Sequence, residues 1–187
     1  NRLVPVVVIG DRNTSLNVDT VEMNNYSAGA IIAHYMIGLG HKHIAYISTT
    51  LNEANSARVR RLEGVRDTYR NECPEGSVIV RSREVTPKEE RDNISIEHAV
   101  GFELTRKCLG ERHITAFVAV NDMVAYGVLD ALVREGYRVP EDFSLCGFDN
   151  VTSSGYQRIQ LTSVENYTFN HGKSAFNLLL ERIEGGL

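Results

Sequence analysis

Short, almost continuously apolar runs alternate in this chain with longer segments of helical periodicity, and few architectures accept that pattern. Residues 4–9, 43–48, 114–120 and 143–146 are strand-length runs rich in Val, Ile, Ala and Phe. A strand reads that way when both faces of its sheet are covered, as in parallel sheets flanked by helices. Between these runs, residues 28–39 place Ile31, Ile32, Tyr35 and Met36 on one helical face, and residues 94–109 do the same with Ala99, Phe102 and Leu104. Residues 56–69, 123–135 and 171–183 read as further helices. The expected fold is α/β, with a parallel sheet and right-handed crossovers.

Local signals punctuate this frame. Gly40 and Gly136 follow helical segments and suit the left-handed turn that ends a helix. Pro140 stops any continuation. Asn121 stands where its amide can cap the helix that follows. Residues 18–23, 77–80 and 161–164 read as short extended segments, and the polar stretch 81–93 as a loop. Gly147, after the apolar run 143–146, is expected to swing the chain out at the carboxyl end of a strand.

The formal net charge of -4 argues against a domain that binds nucleic acid by itself, and the cluster Arg58, Arg60, Arg61 is too short to reverse this. Cys73, Cys108 and Cys146 are odd in number and outside any metal-ligand spacing, which fits a reducing cytoplasm. No signal peptide and no run of membrane-spanning length is seen. His41 and His43 lie two apart with no Cys or acidic partner to complete a metal site, and Gly40-His41 reads instead as a helix-ending pair. There is no phosphate-binding glycine loop and no nucleophile elbow. The chain is therefore expected not to be an enzyme and to carry no cofactor or metal.

Polar residues instead gather after strands. Residues 55–61 follow one apolar run, Asn121 and Asp122 a second, Asp149 and Asn150 a third. In open α/β sheets, ligands bind at the carboxyl ends of the strands. Carboxylates, amides and a guanidinium together satisfy hydroxyls that both donate and accept, which is what a sugar presents. Taken singly, Asn121 is equally well explained as a helix cap, while Asp149 is better explained as a ligand contact than as a turn acid.

Seven motifs in order carry a family resemblance: Ile9-Gly10-Asp11-Arg12; Asn24-Asn25-Tyr26-Ser27-Ala28-Gly29; Leu39-Gly40-His41 with Ile44-Ala45; Arg61-Leu62-Glu63-Gly64; Asn121-Asp122 with Ala125 and Gly127; the run Val139-Pro140-Glu141-Asp142-Phe143-Ser144-Leu145-Cys146-Gly147-Phe148-Asp149-Asn150; and Leu161-Thr162-Ser163-Val164. The chain resembles effector domains of the lactose/galactose repressor (LacI/GalR) family, whose members are sugar- or nucleobase-sensing transcription regulators. That resemblance implies a type I periplasmic-binding-protein-like fold: two parallel-sheet α/β subdomains with a ligand cleft between them. Residues 1–40 and 165–187 would form an incomplete N-terminal subdomain, and residues 41–164 the C-terminal one. By position it assigns effector contacts to Asn25, Ser27, Asn55, Arg61, Asn121, Asp149 and Asn166. The family often sets an aromatic ring against the ligand from the loop before the helix at 94–109, but residues 81–97 hold none.

The expected partners are a sugar-like effector, a second copy of the chain, and operator DNA reached only through an N-terminal helix-turn-helix that this sequence lacks, all in the cytoplasm and with no membrane partner. Val128, Leu129, Leu132 and Tyr156 are the apolar residues expected to serve a homodimer. The alternative is a periplasmic or extracellular sugar-binding protein feeding an ABC transporter, which shares the fold.

Overall fold

A computed structural model describes residues 4–10, 18–52, 55–111, 113–157 and 159–185. The motif residues Asp11 and Arg12 lie outside that set. The elements run β1 (Val7–Ile9), β2 (Asp19–Val21), α1 (Asn25–Gly38), β3 (His43–Ser48), α2 (Ser56–Glu72), β4 (Ser77–Ser82), α3 (Pro87–Asp92), α4 (Ile96–Cys108), β5 (Ala116–Ala119), α5 (Asp122–Arg134), β6 (Ser144–Asp149), a 3-10 turn (Thr152–Gly155), β7 (Thr162–Glu165) and α6 (Thr168–Glu184).

Packing divides the chain into two compact units, one of residues 25–165 and one of residues 1–24 with 166–187. The expected boundary after residue 40 falls elsewhere because α1 packs on α2. Those helices meet at Gly29 and Gly64, where an added Cβ would stand 2.0 Å from the Arg61 carbonyl oxygen and 2.1 Å from that of Tyr26. Only glycine allows backbones that close. Gly101 and Gly127 do the same for α4 and α5.

The larger unit holds one sheet in the order β4-β3-β5-β6-β7, every neighbour parallel. The chain leaves β3 toward β4 and returns across it to β5, so the winding reverses between β3 and β5. Right-handed crossovers running in opposite directions put their helices on opposite faces. The core is as the apolar runs imply: Ile44, Tyr46, Ile47, Phe117, Val118, Phe148, Val128 and Leu132 are fully buried. Each large aliphatic or aromatic side chain buried this way stabilises the fold by about 1.5–3 kcal/mol. Val128 and Leu132 thus belong to the core and offer nothing to a second copy; Leu129 is half-buried and Tyr156 exposed.

Two expectations change. The stretch 81–93 is not all loop: β4 runs to Ser82, and α3 forms behind a full capping box in which Thr86 and Glu89 bond reciprocally. Thr-Pro-x-Glu is the sequence signature of that start. And β6 runs to Asp149, which pairs with Glu165 of β7, so Gly147 lies inside the strand. Its lack of a side chain makes room for Asp122, whose Oδ1 would sit 2.4 Å from a Cβ there.

In the smaller unit β1 pairs in parallel with β2. Helix α6 packs on them through the buried Ala175, and its Arg182 forks onto Asp19 at 2.7 and 3.0 Å. That guanidinium holds the Asp19 carboxyl below its ordinary range.

Candidate functional site

Arg61 is the centre of the carboxyl edge of the five-stranded sheet. It lies on the second turn of α2, which starts just past β3, and is 8% exposed. Its Nε donates to Asn25 Oδ1 at 2.9 Å, Nη1 to the Val120 carbonyl at 2.7 Å, and Nη2 to Asp149 Oδ1 at 3.1 Å. The guanidinium also stands 4.9 Å from the centre of the buried Phe148 ring, a favourable cation–π distance. Three segments far apart in sequence, the start of α1, the end of β5 and the end of β6, thus converge on one side chain. Val120 follows β5, the strand on one side of the winding reversal, which is where crevices form in such sheets.

Asp149 and Asn150 both have positive φ, 99° and 45°. Non-glycine residues occupy that region at a cost and are held there by their surroundings. Asp122 does much of the holding. It is 1% exposed and accepts from Val151 N at 3.0 Å, Ser154 Oγ at 2.5 Å and Ser163 Oγ at 2.6 Å. Burial raises its pKa, and those three donors pull the other way. Grouped by sequence with the ligand candidates, Asp122 proves to be a buried brace for the loop after Asp149.

Asn121 uses both ends of its amide. Its Oδ1 caps α5 by accepting from Val124 N at 2.9 Å, and its Nδ2 donates to Glu97 Oε1 at 2.9 Å. The same Glu97 oxygen accepts from Arg58 Nη2 at 3.2 Å. Arg58 on α2 and Glu97 on α4 are thereby linked across the end of β3. Neither was chosen as a site residue from the sequence, although Arg58 stands three residues before Arg61 and Glu97 at a helix start. Asn55 bonds to Asn52 at 2.9 Å in its own turn, and Ser27 is exposed on the first turn of α1. Asn166 belongs to the smaller unit. The candidates brought together are therefore Asn25, Arg61 and Asp149, with Asn121 joined to the Arg58–Glu97 pair.

Among the described residues, no group of three or more His, Cys, Asp or Glu side chains could hold a metal ion, and no helix is long and apolar enough to cross a membrane. His41 and His43 serve the opposite edge of the sheet: His41 bridges Thr115 Oγ1 and Ser144 Oγ, each at 2.8 Å, and His43 meets Ser77 Oγ at 3.0 Å.

A reversing parallel sheet with a guanidinium, amides and a partly exposed carboxylate converging at its carboxyl edge defines a ligand-binding module. The chain belongs to the periplasmic binding protein-like domain family, whose model matches residues 33–186. Its relatives within that family are LacI-type regulators of transcription and not enzymes, which bears out the resemblance read from the motifs. An HTH-type transcriptional repressor PurR of Haemophilus influenzae (strain PittEE) is 30% identical over 181 residues, 96% of this chain and 50% of that protein. A LacI-family regulatory protein from Corynebacterium glutamicum is 29% identical with a TM-score of 0.78, covering 97% of this chain and 64% of that one. A LacI-family regulator from Enterococcus faecium, solved with bound ribose, shares the fold at 24% identity and a TM-score of 0.79, over 96% and 62% of the two chains. The chain spans about half the length of the curated relatives it matches.

Proposed function

We propose that this chain is the effector-binding and dimerising module of a LacI-type regulator, and that its effector is a sugar or sugar derivative held at Arg61 and Asp149. Binding would control operator recognition by a helix-turn-helix headpiece elsewhere in the longer protein. The observation that carries this reading is the Arg61 constellation. A guanidinium locked by Asn25 and Val120 presents Asp149, 30% exposed at the side chain, at the carboxyl edge of the sheet. An ionised acid and an adjoining fork of N–H donors give a hydroxyl both an acceptor and a donor. Asn25, Ser27, Asn55 and Asn121, all of the larger unit, complete the proposed contact set there.

A nucleobase is the second reading. The curated relatives at 29–30% identity are repressors named PurR, whereas the ribose-bound regulator is only 24% identical. A flat base gains most from an aromatic face to stack on. Residues 81–97 offer no aromatic, and the Phe148 ring is already covered by Arg61. That favours the polyol.

Thermal shift on the intact regulator separates the two. D-ribose, D-glucose and D-galactose form one arm, and adenine, guanine and hypoxanthine the other. A ligand at about 100 times its Kd adds roughly 2.7 kcal/mol of stability, so the correct arm raises Tm by several degrees. A shift confined to the nucleobases would remove the sugar reading and keep the module. For pairing, the exposed Met123, Val133 and Tyr156 are the residues to test; sedimentation of the intact protein is expected to give a dimer, the commonest closed assembly.

A further inference from the structure

Among the described residues, five buried side-chain polar atoms have no hydrogen-bond partner: Ser48 Oγ, Thr49 Oγ1, Arg58 Nη1, Arg83 Nε and Arg83 Nη2. They do not scatter. Ser48 ends β3 and Thr49 follows it. Arg83 follows β4 and donates its backbone N–H to the Ser48 carbonyl at 3.2 Å. Arg58 lies on the first turn of α2, where its carbonyl accepts from Tyr46 of β3. Ser48, Thr49 and Arg83 thus stand at the carboxyl ends of β3 and β4, and Arg58 on the helix that follows β3, three residues before Arg61. Ser48 and Thr49 are both 0% exposed. Buried groups of this kind nearly always have partners, and those without one call for an explanation.

The cover over this cluster is thin. Helix α3 has no buried residue. It faces the arginines through Glu90, 3.6 Å from Arg58 Nη2, and Glu89, 3.8 Å from Arg83 Nη2, both beyond hydrogen-bond reach. Its base is firm, because Thr50 Oγ1 donates to the Val85 carbonyl at 3.1 Å and accepts from Val85 N at 2.8 Å. The result is a cover fixed at one end and lightly held over groups that lack partners.

The charges say what the cluster can take. Arg58 faces Glu90 and Glu97; Arg83 faces Glu89 and Glu103. Each guanidinium already meets two carboxylates, so a phosphate or carboxylate would enter a net negative field. Its free N–H groups need acceptors without charge, and Ser48 and Thr49 can donate or accept. Hydroxyl and ring oxygens meet that requirement.

We propose that Ser48, Thr49, Arg58 and Arg83 form a second polar subsite of the effector site, closed by α3, that receives hydroxyl or ring oxygens of an uncharged sugar and discriminates against its phosphorylated form. This rests on the sugar reading above. The test is calorimetric titration of the intact regulator with D-ribose, D-glucose and D-galactose, each beside its terminal phosphate. A neutral sugar is expected to bind at least about tenfold more tightly than its phosphate, and Thr49→Val to weaken it by about 2- to 10-fold, Arg83→Met by about 10- to 150-fold. Thr49→Val is also expected to leave Tm without ligand level or higher, because it deletes an unpartnered buried hydroxyl at constant shape. That variant keeps the test alive if Arg83→Met does not fold. Tighter binding of the phosphate, or unchanged affinity in Thr49→Val, overturns the subsite. Asp149→Asn is the control on the parent reading: if it too leaves sugar affinity unchanged, the sugar site itself is wrong. If it weakens binding while Thr49→Val does not, only the subsite falls.

Discussion

The two edges of the five-stranded sheet are built from similar residues and finished differently. At the amino edge, polar groups close on one another. His41 spends both ring nitrogens on Thr115 and Ser144, Tyr69 donates to the His41 carbonyl at 2.8 Å, and Ser77 N reaches the Lys42 carbonyl at 2.9 Å. At the carboxyl edge the Ser48 and Thr49 hydroxyls have no partners, Asp149 and Asn150 hold positive φ, and Arg58 and Arg83 keep donors unused. An edge that satisfies itself adds stability and has nothing to offer a ligand. An edge left unsatisfied gives up stability and keeps hydrogen-bonding capacity for one.

The sharpest way to test that contrast is Arg61→Met, because Arg61 belongs to both descriptions. It is buried and its donors satisfy Asn25, the Val120 carbonyl and Asp149. Breaking a buried ion pair by removing one partner costs about 3–5 kcal/mol. Urea unfolding is expected to show a loss of that order, along with loss of effector binding; a drop below about 1 kcal/mol would mean the cluster is not structural.

Asp149→Asn comes next and acts mainly on binding. A hydrogen bond to a charged group contributes about 1.5–3 kcal/mol, so effector affinity should fall roughly 10- to 150-fold, measured by titration. Its stability should change less than that of Arg61→Met, since Asp149 is partly exposed and Asn keeps one acceptor. If the two variants lose stability equally, the carboxyl edge is as structural as the amino edge and the contrast fails.

Gly29→Ala should cost about 1–3 kcal/mol in thermal or urea unfolding, the usual penalty for overpacking, because its methyl would meet the Arg61 backbone. It should also weaken effector binding by displacing the turn of α2 that carries Arg61. Unchanged affinity would separate the helix crossing from the site.

The smallest effect belongs to the amino edge. Burial lowers the pKa of His41 below 6.5, so the folded state favours the neutral ring. Where the folded pKa is depressed, the unfolded chain binds more protons, and stability is fully present above about 6.5 and falls as pH drops through the folded value. His41→Asn should be less stable at neutral pH yet flatter between pH 7 and 5, as followed by Tm. An unchanged slope would assign the pH dependence elsewhere.

Much of this protein was legible without coordinates. Apolar runs located β3, β5 and the core of β6, because a doubly covered strand cannot afford alternation. Asn121 was readable as a cap, and the motifs around Arg61 and Asp149 singled out two side chains that the fold pairs at 3.1 Å. What escaped was α3, although Thr86-Pro87 and Glu89 spell its start, because its residues are polar throughout and leave no hydrophobic period to follow.

The sequence by itself determined the class of fold, the order of its elements and the types of residue set at strand ends, since these follow from burial pattern and local backbone preference. Tertiary structure alone decided how those residues are used. It made Asp122 a buried brace rather than a ligand contact, because Gly147 leaves space for its carboxylate. It drew Val128 and Leu132 into the core. It also brought Asn25, Arg61, Val120 and Asp149 together and left the Ser48 and Thr49 hydroxyls and donors of Arg58 and Arg83 without partners. Hydrogen-bond satisfaction depends on distances between segments up to 163 positions apart in the chain, and no local pattern carries that information.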